Sequence, residues 1–529
     1  MSVRSHYRIA LTGAALLTAA YLGAANPVSL PGGPETAHAA EPPRPNIVLI
    51  RTDDQALEEF SARTMPKTMR LLARQGTTFT DSIVTTPLCC PSRAAVLTGQ
   101  YGHNNGVLSN RPGYPALKDK GNTLPVWLHR AGYRTAHLGK YLNRYSETAP
   151  QPTDVAPGWD EWDTALSDEG PRYYDYSLSR NGRRVSYGKR ARNNVTRVLD
   201  HAAVRMIRAY TPRRRPLYLQ LDQRAPHLST GPTRGRCKRS LPQPDLRDID
   251  RFAHRHLPMP PSFNEVNVSD KPSFIRDRPR LDQGAIQRMR RTYQCALASL
   301  KEVDRGTAAI YKALKRTGEL GRTVIIFTSD NGFYFGEHRL RTGKAPPYEE
   351  SIRVPLVIRI PIAYRNGAAR TPKISKPVAN VDLAPTILRL AGAQPCRSKV
   401  HCRTMDGRSL LGLLRGNTSG WPDDRGLLLE LNQSAGGNAG ICTYQGVRLG
   451  DRIYTEYSSI ADQASGTCQP DSERELYELG SDPHELNNLA DTPAHAVEQA
   501  QLSDRLDELR DCAGIAGRDQ RVDGRPFCE

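Results

Sequence analysis

Two stretches far apart in the chain share one design, and it narrows the choice of fold more than any other feature. "PNIVLIRTDDQ" (45–55) is a short apolar run that closes on Asp53 and Asp54, and "TVIIFTSDNG" (323–332) closes on Asp330 and Asn331. Runs of this kind bounded by polar residues read as strands. "PLYLQLDQRAPH" (216–227) and "YRTAHLGKY" (133–141) look similar, while "MPKTMRLLARQG" (65–76) and "ALASLKEVDRGTAAIYKALKRTG" (296–318) read as helices. Strands alternating with helices indicate an α/β sheet. In such sheets ligands gather beyond the carboxyl ends of the strands, so the polar residues that close these runs are candidates for one site. Asp53, Asp54, Asp330 and Asn331 offer hard oxygens that suit Ca²⁺ or Mg²⁺ and suit zinc poorly. Either pair alone reads equally well as a turn or a helix cap.

At the N-terminus, Arg4 and Arg8 precede the apolar run "IALTGAALLTAAYLGAA", and "AHA" at 37–39 offers a small-x-small cleavage site. This reads as a signal peptide over 1–39, with a retained anchor disfavoured by the Pro/Gly-rich segment that follows. No other stretch approaches a membrane span, so no stable span is expected after cleavage, and the chain is expected to be secreted or periplasmic. The remaining length suits a large α/β domain over 40–425 and a smaller α+β domain over 426–529, where short strands and turns follow "DGRSLLGLLRG" (406–416). The Pro- and Arg-rich region 231–285 reads as a long surface excursion bordering a cleft.

Ten cysteines in an exported chain point to disulfides. Spacing suggests the local pairs Cys396 with Cys402, Cys442 with Cys468 and Cys512 with Cys528, and Cys237 with Cys295 is available as a fourth, although connectivity is not determined by sequence. Cys89 and Cys90 are then left over. The 74 Lys+Arg against 55 Asp+Glu, a formal charge of +19, favour anionic partners or reflect an Arg-rich surface spread over solvated faces.

The leftover cysteines sit in "TTPLCCPSRAAVLTG" (85–99). "CCPSRAAVLTG" resembles the signature of the formylglycine-dependent sulfatases, Cys-x-Pro-Ser-Arg before an Ala/Leu-rich helix and Thr-Gly. "NIVLIRTDDQ", "TSDNGFYFGEH", "VDLAPTILRLAG" (381–392) and "LYELGSDPHELNNLA" also look like sulfatase segments in sulfatase order. The likeness runs from about residue 44 to 490. It implies an alkaline-phosphatase-like fold, a central mixed sheet flanked by helices. It also implies oxidation of Cys89 to formylglycine by a formylglycine-generating enzyme, with the hydrated aldehyde as nucleophile and Cys90 as the variable x. By resemblance, Asp53, Asp54, Asp330, Asn331 and residue 89 bind a divalent cation, usually Ca²⁺. Arg93 stabilises the oxyanion, Lys140 and Lys344 hold sulfate oxygens, and His227 in "APH" faces the leaving group.

One position departs from the family pattern. Many arylsulfatase-like members carry Gly-Lys-x-His, whereas this chain reads "GKYLN", with Leu142 in the histidine's place. Together with the double cysteine, this looks closer to the N-acetylglucosamine-6-sulfatase and heparan-type endosulfatase group. The implied activity is hydrolysis of sulfate esters on a sulfated sugar of the N-acetylglucosamine 6-sulfate type, with no nucleic acid partner. Two alternatives stand beside it: a phosphonate monoester or phosphodiester hydrolase with the same site, and a non-catalytic polyanion-binding protein. Asn143 reads as a site neighbour or a loop residue, and His103 and Asn104 as pocket-lining or turn-ordering. Glu337 and His338 read as leaving-group or substrate contacts or as structural residues, and Asp482 to Glu485 as a structural turn with a helix cap. Asn194 and Asn267 match the short glycosylation pattern.

Overall fold

The computed structural model describes residues 43–166, 169–211, 215–238, 240–462 and 465–529, so the signal segment read over 1–39 lies outside the described residues. Asn46–Asp53 forms β1, buried along its whole length. Ile47 and Leu49 face one helical layer and Val48 and Ile50 the other, which is why the run lacks polar alternation. The other strands of its sheet are β2 (Thr77–Phe79), β3 (Arg134–Gly139), β4 (Glu161–Ala165), β5 (Tyr176–Arg180), β6 (Arg183–Tyr187), β7 (Leu217–Pro226), β8 (Thr323–Ser329), β9 (Leu356–Arg359) and β10 (Lys373–Ile374). Their order is β10-β2-β9-β8-β1-β7-β3-β4-β5-β6. The central β8, β1, β7, β3 and β4 run parallel, and antiparallel pairing enters at β9 on one flank and β5 on the other.

Helices α1 (Cys89–Thr98) and α4 (Leu383–Ala391) lie on the Ile47/Leu49 face, and α2 (Val195–Tyr210) and α3 (Gln283–Arg316) cover the other. The mixed α/β sheet flanked by helices is therefore as the sequence implied. Helix α3 begins well before the expected residue 296, because Asp282 caps it by accepting the Ala285 N–H at 2.6 Å. The helix expected over 65–76 opens into a π-turn at Met69–Ala73. Residues 231–282 are irregular apart from short helical turns, and Cys237–Cys295 ties them to α3. The other three suggested disulfides are also formed, leaving Cys89 and Cys90 as free thiols. Asn194 is buried as the cap of α2, whereas Asn267 is exposed. Among the described residues, no helix is long and apolar enough to cross a membrane.

A second, antiparallel sheet follows, built from β11 (Leu427–Asn432), β12 (Ile441–Leu449), β13 (Arg452–Asp462), β14 (Thr467–Pro470) and β15 (Arg474–Glu478). Helix α5 (Ala496–Arg510) covers one face through Leu502, Leu506 and Leu509. This region is fastened to the turn after α1. His103 places Nδ1 3.1 Å from Glu430 Oε2 and Nε2 3.0 Å from the Cys512 carbonyl, and Glu430 Oε1 also accepts the Gly102 N–H at 2.5 Å. Asn104 donates to Asp406 and to the same Cys512 carbonyl, both at 2.8 Å. His103 and Asn104 therefore order this junction and do not join the strand-end cluster.

Burial alone would depress the His103 pKa, but Glu430 and the Cys512 carbonyl outweigh it and lift the imidazole to about 9. A group whose folded pKa is raised contributes stability that is complete below its unfolded value, about 6.5, and fades as pH rises through the folded one. His103→Gln is expected to lower stability by about 1–3 kcal/mol at pH 6. The gap from wild type should shrink between pH 6.5 and 9 in chemical denaturation, and a gap independent of pH would refute the charged pairing.

Candidate active site

Four parallel strands deliver the site. Asp53 ends β1, and Asp54 follows with a left-handed φ of 69° that turns its carboxylate back over the strand ends. Asp330 and Asn331 follow β8, Lys140 follows β3, and β7 supplies Asp222, Arg224 and, just beyond its end, His227. Helix α1 starts at Cys89 after the extended Leu88 and stops at left-handed Gly99. Asn380 holds its entry, accepting the Thr85 N–H at 3.2 Å and donating to Ser92 Oγ at 3.0 Å. Arg93, one turn after Cys89, lies on the same helix face.

The side chains converge tightly. Cys89 Sγ lies 3.4 Å from Asp53 Oδ1 and 4.0 Å from Asp54 Oδ1, and Lys344 Nζ donates to it at 2.8 Å. Lys344 also pairs with Asp54, and Lys140 Nζ donates to both Asp53 oxygens at 3.0 and 2.8 Å. Arg93 Nε donates to Asp330 Oδ2 at 2.9 Å, and its Nη1 to the Lys140 carbonyl at 2.7 Å. His227 donates from Nδ1 to the Leu228 carbonyl at 2.6 Å, which aims Nε2 at Asp54 Oδ2, 3.6 Å away. All nine site residues read from the sequence thus meet at one point. Cys90, turned about 100° around the helix, packs its thiol into the apolar core.

The charges answer one another. Burial would raise the Asp53 carboxyl, but Lys140, His227, Arg93 and Lys344 hold it well below the usual range; Lys344 and His227 lower Asp54 against burial. Asp330 is raised, since its burial outweighs Arg93. Burial pushes the Cys89 thiol up to about 12, against the pull of Lys140 and Lys344. A thiol with that pKa is ionised in roughly one molecule in 10⁵ at pH 7, so unmodified Cys89 is a poor nucleophile. The oxygen set of Asp53, Asp54, Asp330 and Asn331 fits a hard divalent cation: three carboxylates and an amide, with Asn331 Oδ1 buried and without a hydrogen-bond partner among the described residues.

The mouth of the site is basic. Arg111, Lys140, Arg144, Arg224 and His227 line it, with Glu147 as the acid, itself paired to Arg144 at 2.9 Å. Leu142, in place of the family histidine, belongs to the apolar core and, like Asn143, lines the pocket; Asn143 Oδ1 is buried without a hydrogen-bond partner among the described residues. Sequence reasoning passed over Arg224 and Asp222. Asp222 binds Arg51 at 2.8 and 2.9 Å, lies 3.1 Å from His137 Nε2, and stands 3.6 Å from Arg93, so it supports the arginine from behind. Its place inside β7, where the apolar run "PLYLQL" gives way to polar residues, was the available signal. Glu337 and His338 are buried in a different cluster and do not serve as substrate contacts: Glu337 accepts the Phe335 N–H at 2.6 Å, and His338 Nδ1 lies 2.8 Å from Glu265. The turn at Asp482 to Glu485 is formed, but no helix follows it directly, so there is no helix cap; Asp482 Oδ2 instead accepts the Asn487 N–H at 2.8 Å.

Residues 45–393 match the Sulfatase family. An extracellular sulfatase SULF-1 homolog of Drosophila melanogaster is 33% identical over 399 residues, 73% of this chain and 33% of that protein, so the chain spans about a third of that relative's length. The N-acetylglucosamine-6-sulfatase of Homo sapiens is 31% identical over 505 residues, 90% of this chain and 86% of that protein. The solved structure of BT4656 in complex with its substrate D-glucosamine-2-N,6-O-disulfate shares the fold, with a TM-score of 0.67 at 23% identity, covering 88% of this chain and 97% of that one.

Lys140 reaches the cluster through Gly139, whose φ is 101° and where an added Cβ would stand 1.9 Å from the Asp222 carbonyl oxygen. Gly139→Ala should destabilise the protein by about 2–4 kcal/mol, combining clash and backbone strain. Gly182→Ala, at φ 84° with nothing within 4 Å, supplies the strain without the clash. Equal losses in denaturant melts would show that the close approach to Asp222 does not matter.

Proposed function

The chain belongs to the sulfatase family, and from that premise we propose that it hydrolyses sulfate esters on a sulfated sugar of the N-acetylglucosamine 6-sulfate type. The observation that carries this reading is the position of Cys89 at the start of α1, where Asp53, Asp54 and Lys344 contact its Sγ and Arg93, Lys140 and Asp330 are ion-paired around them. Formylglycine at position 89, made from Cys89 by a formylglycine-generating enzyme, would supply a hydrated-aldehyde hydroxyl as nucleophile, and Ca²⁺ held by Asp53, Asp54, Asp330 and Asn331 would supply the charge that lowers its pKa.

The chain's own residues do the rest. A sulfate ester carries its negative charge on oxygens that repel a nucleophile, and Lys140, Lys344 and Arg93 neutralise them in a water-poor site where charge acts strongly. The positive end of α1 adds to this field beside residue 89. Arg93 is held rigidly by Asp330 in front and Asp222 behind, so it needs little reorganisation as charge develops. His227, its ring fixed by the Leu228 carbonyl, directs Nε2 to where it can hand a proton to the departing sugar oxygen. Arg111, Arg144 and Arg224 around the mouth favour a sugar with further anionic groups. A secreted or periplasmic enzyme is consistent with the disulfides and with the extracellular relatives.

Cys89→Ala is expected to reduce kcat by more than about 10⁴-fold while melting close to wild type. Cys90→Ser should keep its activity, and the reverse pattern would mean the wrong cysteine has been assigned. In active protein the peptide containing residue 89 should show loss of H₂S and gain of O, thiol to aldehyde. Turnover should favour N-acetylglucosamine 6-sulfate over an aryl phosphonate monoester, and a chelator should suppress it until Ca²⁺ is restored. Preference for the phosphonate, or full rate in metal-free protein, would overturn the reaction or the cation.

A further inference from the structure

We infer that His338, Glu350 and Glu485 form a second metal site, for a divalent transition cation of the Zn²⁺ class, apart from the strand-end cluster. His338 lies in the loop that runs from Asn331 to Lys344, Glu350 in the helical turn Glu349–Ile352, and Glu485 in the turn after β15. Their ligand atoms lie within 4.8 Å of one another, with His338 Nε2 and Glu350 Oε2 3.9 Å apart. Tetrahedral zinc ligands stand about 3.4 Å apart, so side-chain adjustments of an ångström or so close the set.

Each residue is tied at one polar atom and leaves the other facing the same point. His338 Nδ1 lies 2.8 Å from Glu265 Oε2, which holds the ring with Nε2 facing the other two residues. Glu350 Oε1 accepts from the Ser262 hydroxyl at 3.1 Å, and Glu485 Oε2 from the Glu349 N–H at 2.9 Å. The three remaining atoms, His338 Nε2, Glu350 Oε2 and Glu485 Oε1, are buried and have no hydrogen-bond partner among the described residues. His338 is 0% and Glu485 1% exposed, whereas Glu350 is partly open, which gives an ion its way in. The carboxylate on the far side of the histidine is the outer-shell partner that metal-bound imidazoles usually have. Tyr348 stacks on the His338 ring at 4.1 Å and holds its plane.

Among the described residues, no lysine or arginine pairs with the Glu350 or Glu485 carboxylate. The cations of this region are engaged elsewhere: Lys271 donates to the Glu485 main-chain oxygen at 2.8 Å and lies 3.7 Å from Glu265, and Arg353 and Arg448 pair with Glu349. Imidazole nitrogen with two carboxylates suits Zn²⁺ better than Ca²⁺, with water completing the shell. Bound there, the ion would pin the loop that carries Lys344 to the C-terminal region. The inference is independent of the proposed reaction, and its test does not use turnover.

The full chain, kept in excess Ca²⁺, is titrated with Co²⁺ followed by visible absorption, and with Zn²⁺ followed by thermal unfolding and metal analysis. One Zn²⁺ per chain is expected, with intense tetrahedral Co²⁺ bands and a Tm raised by several degrees. Glu350→Gln and Glu485→Gln should each weaken the response about 100-fold, while Asp330→Asn, in the strand-end cluster, should leave it intact. An unchanged wild-type Tm without Co²⁺ bands would overturn the site, as would a wild-type response in both glutamine variants or its loss in Asp330→Asn. Should Glu485→Gln fail to fold, the wild-type titration and the partly exposed Glu350→Gln still decide.

Discussion

Asp53, Asp54 and Asp330 are buried within a few ångströms of one another, and every nearby feature answers the repulsion among them. Isolated ionised carboxylates cannot be taken out of water without compensation, so Arg93, Lys140 and Lys344 are part of the fold as much as of the proposed chemistry. Those cations need exact placement, which explains the Gly139 approach to Asp222, the carboxylate of Asp222 behind Arg93, and the anchoring of α1 by Asn380. Loss of one partner would leave the others unpaired, a far larger penalty than the net worth of any single pair.

The same constraint gives the sheet its role. Parallel strands end together on one edge of the sheet, so β1, β3, β7 and β8 bring residues from four distant segments to one point. Helix α1 adds the fifth approach, fully buried because it packs against α4 and the large sheet on one side and against the second sheet's cluster on the other. The C-terminal region is joined to this centre at two places: the Glu430–His103 junction behind α1, and the Glu485 turn against the loop that carries Lys344. Segments remote in sequence thereby hold both walls of the site.

Much of this was legible beforehand. The apolar runs closing on Asp53–Asp54 and Asp330–Asn331 identified strands and their functional ends, because burial on both faces removes polar alternation and leaves it to resume where the strand emerges. Cysteine spacing pointed to the three disulfides that close short loops, while Cys237–Cys295, which joins distant segments, was only the pair left available. Other features were not legible. Asp222 and Arg224 carry no signal apart from lying near a strand end, and for His103, Glu337 and His338 a pocket role and a structural role both stayed open because a polar side chain beside a motif suits either. Their partners, Glu430, Glu265, Glu350 and Glu485, come from segments that only packing brings near.

Local sequence determined which elements form and which residue types could hold a cation or stabilise an anion, because strand period, helix stops and donor chemistry are properties of a few neighbouring residues. It also named two adjacent cysteines without separating their roles on physical grounds. The tertiary structure decided that Cys89 meets the charged cluster while Cys90 enters the apolar core, since successive residues of a helix point about 100° apart and only the packing of α1 against the sheet says which direction faces the strand ends. It likewise decided that His338 and Glu485, far apart in the chain, share one buried point, because burial and charge balance act between segments and not along them.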